Sequence, residues 1–307
     1  MLSGKKILVT GASGQVAGPI ASALALDNDV WCLARFKNPV ARADLEKQGM
    51  TCVSWTLGSD DFSEVPDDFT HVVHAAANIF TPDWNHAIEA NAEGTGLLMT
   101  HTRNAEAFLY ISSMSVYKAD PDPWHAYHEG DALGAETPFS PTYSIGKVAT
   151  EAVVRTLARQ LGLPTTIARL NMAYGTSGHG GLPAVFCEMI RNGRPVPHVP
   201  GRQNVGSPIH EDDLIAQTEP LLAAASVPAT IVNWAGDEVV EDVELYRYLG
   251  ELTGVEPVLE EVADVVYPLQ VADVTRRVQI TGPTAVTWKD GVRRSLAVRY
   301  PDLGLTP

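Results

Sequence analysis

The stretch Ile7-Leu8-Val9-Thr10-Gly11-Ala12-Ser13-Gly14-Gln15-Val16-Ala17-Gly18 constrains this chain more than any other. An apolar run of strand texture ends in a glycine turn, and a helical pattern starts directly after it. Gly11 permits the tight turn, Gly14 lets the backbone approach an anion, and Ala17 or Gly18 lets the helix pack close to the strand. A helix N-terminus placed there offers free N–H groups and the positive end of its dipole, which suits a pyrophosphate. The turn reads as a dinucleotide-binding site.

The rest of the first half has matching texture. Short β-rich runs occur at Lys6–Thr10, Asp29–Ala34, Thr51–Leu57, His71–Ala76 and Ala107–Ser112, and helical spacing fills Gln15–Leu26, Val40–Gln48 and Trp84–Asn104. Continuous apolar strands alternating with helices imply an α/β fold, a doubly wound parallel sheet covered on both faces. A further helix is expected over Ser144–Leu161, stopped by Gly162, followed by a strand at Pro164–Leu170. From Asn171 the texture changes to loop-like Gly175–Gly181 and proline-rich Pro195–Pro200. The expected division is a Rossmann domain over residues 1–170, a smaller substrate-binding lobe over residues 171–307, and a return of the chain to the main sheet over residues 203–236, with a strand at Ala229–Trp234. The 307 residues suit about two domains at about 150 residues each.

Composition excludes several classes. With 22 Lys+Arg against 37 Asp+Glu, the net charge of −15 argues against nucleic acid as a partner. No apolar run approaches the about 18 residues of a membrane span, and no signal-peptide pattern precedes the first strand, so a cytoplasmic protein is expected. Cys32, Cys52 and Cys187 are odd in number and far apart in sequence, which fits buried thiols better than disulfides or a metal site.

The end of the second strand bears on cofactor choice. A carboxylate there would bind a ribose 2′-hydroxyl, and an arginine would suit a 2′-phosphate. The sequence reads Leu33-Ala34-Arg35-Phe36-Lys37, which favours NADP(H) over NAD(H).

Two later segments carry chemistry: Ser112-Ser113-Met114-Ser115-Val116-Tyr117 and Tyr143-Ser144-Ile145-Gly146-Lys147. A tyrosine and a lysine four apart at a helix start share one face. A free phenol has a pKa of about 10, and a neighbouring ammonium favours the phenolate. A serine hydroxyl from the adjacent strand end then orients a carbonyl or alcohol oxygen.

With T-G-A-S-G-Q-V-A (Thr10–Ala17), H-A-A-A (His74–Ala77), N-A-E-G-T (Asn91–Thr95), S-S-M-S-V-Y, Y-S-I-G-K and H-E-D-D-L (His210–Leu214), the chain resembles the extended short-chain dehydrogenase/reductases, the epimerase/dehydratase branch. The resemblance implies that Tyr143 is the general acid/base, that Lys147 lowers its pKa and holds the nicotinamide ribose, and that Ser113 orients the substrate oxygen. It implies cofactor contacts from Gly11, Ser13, Gly14, Gln15, Val16, Arg35, Leu57, Ala75, Ala76, Ala77, Tyr143 and Lys147. It also implies a homodimer formed through the helices near Trp84–Asn104 and Ser144–Leu161.

There are departures from the family pattern. Thr56-Leu57 stands where an Asp-Leu pair is common, and Ala173-Tyr174-Gly175 lacks a usual proline. Where sugar-nucleotide members carry an arginine four residues before His210, this chain has Gly206, with Arg202 or Arg194 as possible substitutes.

Other conspicuous residues read more plainly. His74 suits a hydrogen-bonded structural role, Asp212 and Asp213 suit a helix N-terminus rather than a metal, and His179 lies in a glycine-rich loop. The segment Asp120–Glu129, with Trp124, His125 and His128, forms either a lid or a surface loop. The expected function is hydride transfer between NADP(H) and a carbonyl/alcohol substrate lacking a nucleotide tail, in a pocket drawing on Met114, Met172 and Phe186. A nucleotide-sugar epimerase or dehydratase with bound NAD is the alternative, and a non-catalytic NADP(H)-sensing protein is a third reading.

Overall fold

The computed structural model describes residues 2–134, 137–138 and 140–306. Along the chain, β1 (Lys6–Thr10), α1 (Ala17–Leu24), β2 (Asp29–Ala34), α2 (Pro39–Lys47), β3 (Thr51–Ser54) and β4 (His71–His74) build the first half of the sheet. Next come α3 (Trp84–Ile88), a π-helical turn (Glu89–Glu93), α4 (Gly94–His101), β5 (Ala107–Ser113), β6 (Ala126–Tyr127), α5 (Pro141–Leu161) and β7 (Thr165–Leu170). Then β8 (Ala173–Tyr174), α6 (Gly181–Arg191), β9 (Val196–His198), β10 (Val205–Gly206), β11 (Ile209–His210), α7 (Glu211–Ala223) and β12 (Thr230–Trp234) follow. The chain ends with β13 (Val240–Glu241), α8 (Asp242–Thr253), β14 (Leu259–Glu261), β15 (Val271–Ala272), α9 (Thr275–Thr281) and α10 (Trp288–Arg299).

Seven parallel strands form the central sheet in the order β12-β7-β5-β4-β1-β2-β3. The order reverses at β1, which lies between β2 and β4, so the carboxyl ends of β1 and β4 border the crevice where open α/β sheets bind ligands. Successive side chains go to opposite faces. Ile7 and Val9 enter the core with α1 and α7, whereas Leu8 enters the other with α4 and α5. Both faces are apolar, which is why these strands read as continuous runs rather than as alternation.

A third cluster, with Phe186, Tyr246, Leu249, Trp288 and Leu296, joins α6, α8 and α10 beyond the sheet. A fourth, with Met114, Tyr117, Tyr127 and Ala272, lies between that lobe and the end of β5.

The expected helix over Trp84–Asn104 is broken in register: five residues form a π turn, centred on Asn91. The strands at 51–57 and 71–76 end earlier than expected, at Ser54 and His74, because Trp55 turns into the core and Ala75 starts the crevice loop. Gly162 ends α5 in the left-handed region (φ 65), as its position indicated. Cys32 and Cys52, distant in sequence, stand opposite one another in β2 and β3, and all three cysteines are buried and free. Among the described residues no helix is long and apolar enough to cross a membrane, and no cluster of three or more His, Cys, Asp and Glu side chains is placed to hold a metal ion.

Candidate active site

Gly11 turns the chain with φ +74, and a Cβ there would lie 3.0 Å from the amide nitrogen of Ala76. The loops after β1 and β4 therefore touch backbone to backbone. Gly14 donates its amide to the Gly11 carbonyl at 2.8 Å, and a Cβ on Gly18 would come within 3.1 Å of the Ala12 carbonyl oxygen. Ser13 and Gly14 are exposed at this groove, Val16 precedes α1 and packs against the core, and Ala75, Ala76 and Ala77 are partly buried along the opposite rim. A side chain at Gly11 would fill this cradle, and the N-terminus of α1 opens into it, so the residues fit a dinucleotide pyrophosphate.

Gln15 does something the sequence did not suggest. Its Nε2 donates to the Ala173 carbonyl (2.9 Å), and its Oε1 accepts the amide of Gly181 (3.1 Å). A Cβ on Gly178 would sit 2.9 Å from the Cβ of Gln15, so the loop before α6 lies against the glycine turn. That loop is fixed on its far side by Glu211, which accepts the amides of Thr176 (2.6 Å) and Ser177 (3.1 Å). Those bonds hold the Glu211 carboxyl below its ordinary pKa against the effect of burial.

Behind the groove runs a directional chain of hydrogen bonds. Thr95 Oγ1 donates to the Asn91 carbonyl (2.6 Å), so it accepts from His74 Nε2–H (2.8 Å). Nδ1 of His74 then accepts from Thr10 Oγ1 (2.6 Å), which in turn accepts the amide of Ala76 (3.2 Å). His74 is fully buried and neutral, its pKa lowered to about 3 by burial and by the charge of Lys147. The chain ties the cofactor groove to the π turn, where Asn91 accepts the Asn78 amide (2.7 Å) and donates to the Asn78 and Ala87 carbonyls.

Ser113, Tyr143 and Lys147 come together at the end of β5 and the start of α5. The Ser113 hydroxyl accepts the Ser115 amide (3.2 Å) and faces the phenol of Tyr143 closely enough to act on its pKa. Lys147 is buried, with Nζ donating to the Ile111 carbonyl at 2.7 Å and lying 5.9 Å from the Tyr143 ring centre. Burial raises the Tyr143 pKa, and the Ser113 hydroxyl opposes that rise. Lys147 itself is lowered to about 8 by burial, with Glu151 acting in the other direction.

Beyond the end of β5, segments distant in sequence pack together. Met114 is buried beside Tyr117 and Tyr127, and its Sδ receives Nδ2 of Asn171 at 3.1 Å. Asn171 Nδ2 also donates to the Gln270 carbonyl (2.7 Å), and its Oδ1 accepts the Met172 amide (2.7 Å). Phe186 is a correction: only 3% exposed, it packs edge-on to Tyr246 and Tyr267 in the core of the second lobe and has no face to offer a ligand. At Gly206 a Cβ would come within 2.8 Å of the Leu269 Cβ and 3.2 Å of the Gln270 nitrogen. Neither suggested substitute reaches inward, since Arg202 pairs with Asp264 and Arg194 is exposed.

Arg35 and Lys37 are exposed directly after β2, and Leu57 packs against the core beneath α4. His179 is exposed and accepts the Gly181 amide (3.3 Å). Asp213 holds the approach to α10, accepting the amides of Ala285 (2.7 Å) and Val286 (3.3 Å). The segment around Trp124 is tied to distant parts of the chain: β6 pairs with β15, and the Trp124 indole donates to Gln203 (2.7 Å). Sequence reasoning also passed over Glu151 and Arg169. A charged residue on the buried face of α5, eight positions after Tyr143, was the available signal for the first.

Residues 7–214 match the model of the NAD dependent epimerase/dehydratase family. Two trifunctional UDP-glucose 4,6-dehydratase/UDP-4-keto-6-deoxy-D-glucose 3,5-epimerase/UDP-4-keto-L-rhamnose-reductases of Arabidopsis thaliana are 25% and 24% identical over 82% of this chain. The chain spans 40% of the length of these relatives. Among solved structures, UDP-glucose 4-epimerase of Thermotoga maritima with UDP-glucose superposes with a TM-score of 0.79, at 19% identity, over 97% of this chain and 99% of that one. UDP-glucuronic acid 4-epimerase of Bacillus cereus, in complex with UDP-glucuronic acid and NAD, gives 0.81 at 20% identity over 95% and 98%. At these identities the likeness establishes the fold.

Proposed function

The chain belongs to the NAD dependent epimerase/dehydratase family of enzymes, and on that premise we propose that it transfers hydride between NADP(H) and a carbonyl/alcohol substrate, with Tyr143 as acid/base. The observation that supports this most is the contact of Ser113 with the Tyr143 phenol, with Lys147 on the same helix face, beside the rim formed by Ala75 and Ala76. Gly11, Ser13, Gly14 and the amides of Gln15 and Val16 would hold the pyrophosphate, Arg35 would meet a 2′-phosphate, and Lys147 the ribose. Bound there, a nicotinamide supplies hydride chemistry and a positive charge that favours the phenolate.

In the reducing direction Tyr143 gives its proton to the substrate oxygen. Ser113, whose hydroxyl oxygen accepts the Ser115 amide, would turn its hydroxyl hydrogen from the phenol to that substrate oxygen. The segment Leu269–Gln270, packed on Gly206, supports a compact substrate without a diphosphate tail. Residues 1–170 with 203–236 would serve the cofactor and the remainder the substrate. Two copies would pair through α3–α4 and α5, where Trp84, Leu97 and Ile145 are exposed. Light scattering that gives only the 33.0 kDa single-chain mass at micromolar concentration would refute the pairing.

A second reading is favoured by the solved structures that hold UDP-sugars and NAD: a nucleotide-sugar epimerase or dehydratase. One experiment separates them. Net consumption of NADPH with aldehydes or ketones supports the first reading. NAD released on denaturing the purified protein, without net turnover, supports the second.

A further inference from the structure

The loop at residues 175–180, between β8 and α6, lies against the glycine turn at Gln15. Gly178 is the point of contact: its φ is +57, and a Cβ there would stand 2.9 Å from the Gln15 Cβ, 3.0 Å from its Cα and 3.2 Å from its amide nitrogen. That amide is one of those that would face a pyrophosphate. Ser13 and Gly14, the two residues before it, are exposed. The loop therefore covers one edge of the cradle and leaves the other open, and a pyrophosphate that reaches the Gln15 amide must share that edge with Gly178.

The fastenings of this loop are unequal. At its start the buried Glu211 carboxylate accepts the amides of Thr176 (2.6 Å) and Ser177 (3.1 Å). In its middle the Gly178 carbonyl accepts from Arg299 Nη1 at 3.1 Å. The base is bridged by Gln15, whose side chain donates to the Ala173 carbonyl (2.9 Å) and accepts the Gly181 amide (3.1 Å). Bonds to an ionised, buried carboxylate are the strong ones, whereas neutral amide bonds at a half-buried side chain open more readily. Glu211 is thus the fixed end, and Gln15 is the latch.

Resting on the reading of this turn as a dinucleotide site, we propose that residues 175–180 gate it and that the Gln15 side chain is the positioning residue that sets how fast the dinucleotide enters and leaves. The latch bonds join protein groups alone, so anion binding is left to the backbone amides of the turn. They stabilise the closed gate equally with the site filled or vacant. An interaction of equal strength in both states shifts no binding equilibrium. What the latch changes is the frequency of opening, and it slows entry and exit by the same factor.

The test is stopped-flow binding of NADPH, and in parallel NADH, read by nucleotide fluorescence, with release followed after a chase of excess oxidised nucleotide. Gln15→Met removes both latch bonds at nearly constant side-chain length. Its association and dissociation rates are each expected to rise at least about tenfold, equivalent to about 1.4 kcal/mol. The Kd from equilibrium titration should stay within about twofold of the parent. Before any nucleotide is added, amide hydrogen exchange over residues 176–181 should quicken. Gly178→Ala pushes the loop off the turn from the other side and should raise both rates as well, which keeps the test open if Q15M does not fold. Unchanged rates in a folded variant overturn the proposal and make the loop a fixed wall. A faster release matched by a weaker Kd also overturns it, because the side chain then holds the nucleotide rather than the gate. A parent protein that binds neither NADPH nor NADH overturns the dinucleotide reading itself, whatever hydrogen exchange shows of the latch.

Discussion

The ammonium of Lys147 stands 5.9 Å from the centre of the Tyr143 ring, while its hydrogen bond goes to the backbone of Ile111. Any influence of this lysine on the phenol is therefore exerted through its field, while the Ser113 hydroxyl acts on the phenol from close by. The two helpers act by different physics and should separate in a pH profile.

Tyr143→Phe is expected to lower kcat by about 10²–10⁴, the usual range for a general acid. Ser113→Ala removes the hydroxyl that opposes the rise in the phenol pKa. In the alcohol-oxidising direction its rate should therefore climb only at higher pH than in the parent. Initial rates of NADPH formation across pH measure both effects, and an unshifted Ser113→Ala profile would assign the serine to substrate alone.

Acid should weaken the fold through His74. Its pKa falls from 6.5 in the open chain to about 3 in the fold, so below pH 6.5 the unfolded chain takes up a proton that the fold refuses. Stability then drops with falling pH by about 1.4 kcal/mol per unit down to that lower value. His74→Gln should cost about 1–3 kcal/mol at neutral pH through the broken chain from Thr10 to Thr95. It should also have a flatter acid limb in urea melts between these two pH values, and parallel limbs would show that His74 is charged in the fold.

Cofactor choice should turn on Arg35. Replacing this exposed cation by glutamate in Arg35→Glu removes the partner for a 2′-phosphate and supplies one for a ribose hydroxyl. The ratio of kcat/KM for NADPH over NADH is expected to fall at least about tenfold, equivalent to about 1.4 kcal/mol. No change in that ratio would mean that discrimination lies elsewhere in the groove.

Gly206→Arg is expected to destabilise, by about 1–3 kcal/mol for forcing atoms into a filled space. Its Cβ alone would come within 2.8 Å of Leu269. Calorimetry with UDP should still show no binding. A stable variant that acquires UDP affinity would show that the wall at Leu269–Gln270 yields.

The sheet was legible because burial on both faces writes itself as unbroken apolar runs: Ile7 and Val9 serve one core and Leu8 the other. Gly11 was legible because its conformation and its contact with Ala76 tolerate no side chain. Other features depend on partners far along the chain. The π turn at Asn91 changes hydrogen-bond register without changing which residues are apolar. The pairing of Ala126–Tyr127 with Val271–Ala272 joins two-residue strands with no local pattern of their own. Phe186 showed apolar character, but whether it faces a pocket or a core depends on Tyr246 and Tyr267. Glu151 was hidden for the opposite reason, because a glutamate on a helix ordinarily suggests solvent, and only Arg169 makes its burial tolerable.

Gln15 has two jobs, since its backbone belongs to the glycine turn while its side-chain amide clasps Ala173 and Gly181. The turn after β1 and the segments around Ala173 and Gly181 are consequently not interchangeable one at a time. A recombinant that exchanges residues 171–307 for a foreign sequence inherits a glutamine whose two correspondents are gone, and any such exchange has to carry residue 15 across the seam with its mates.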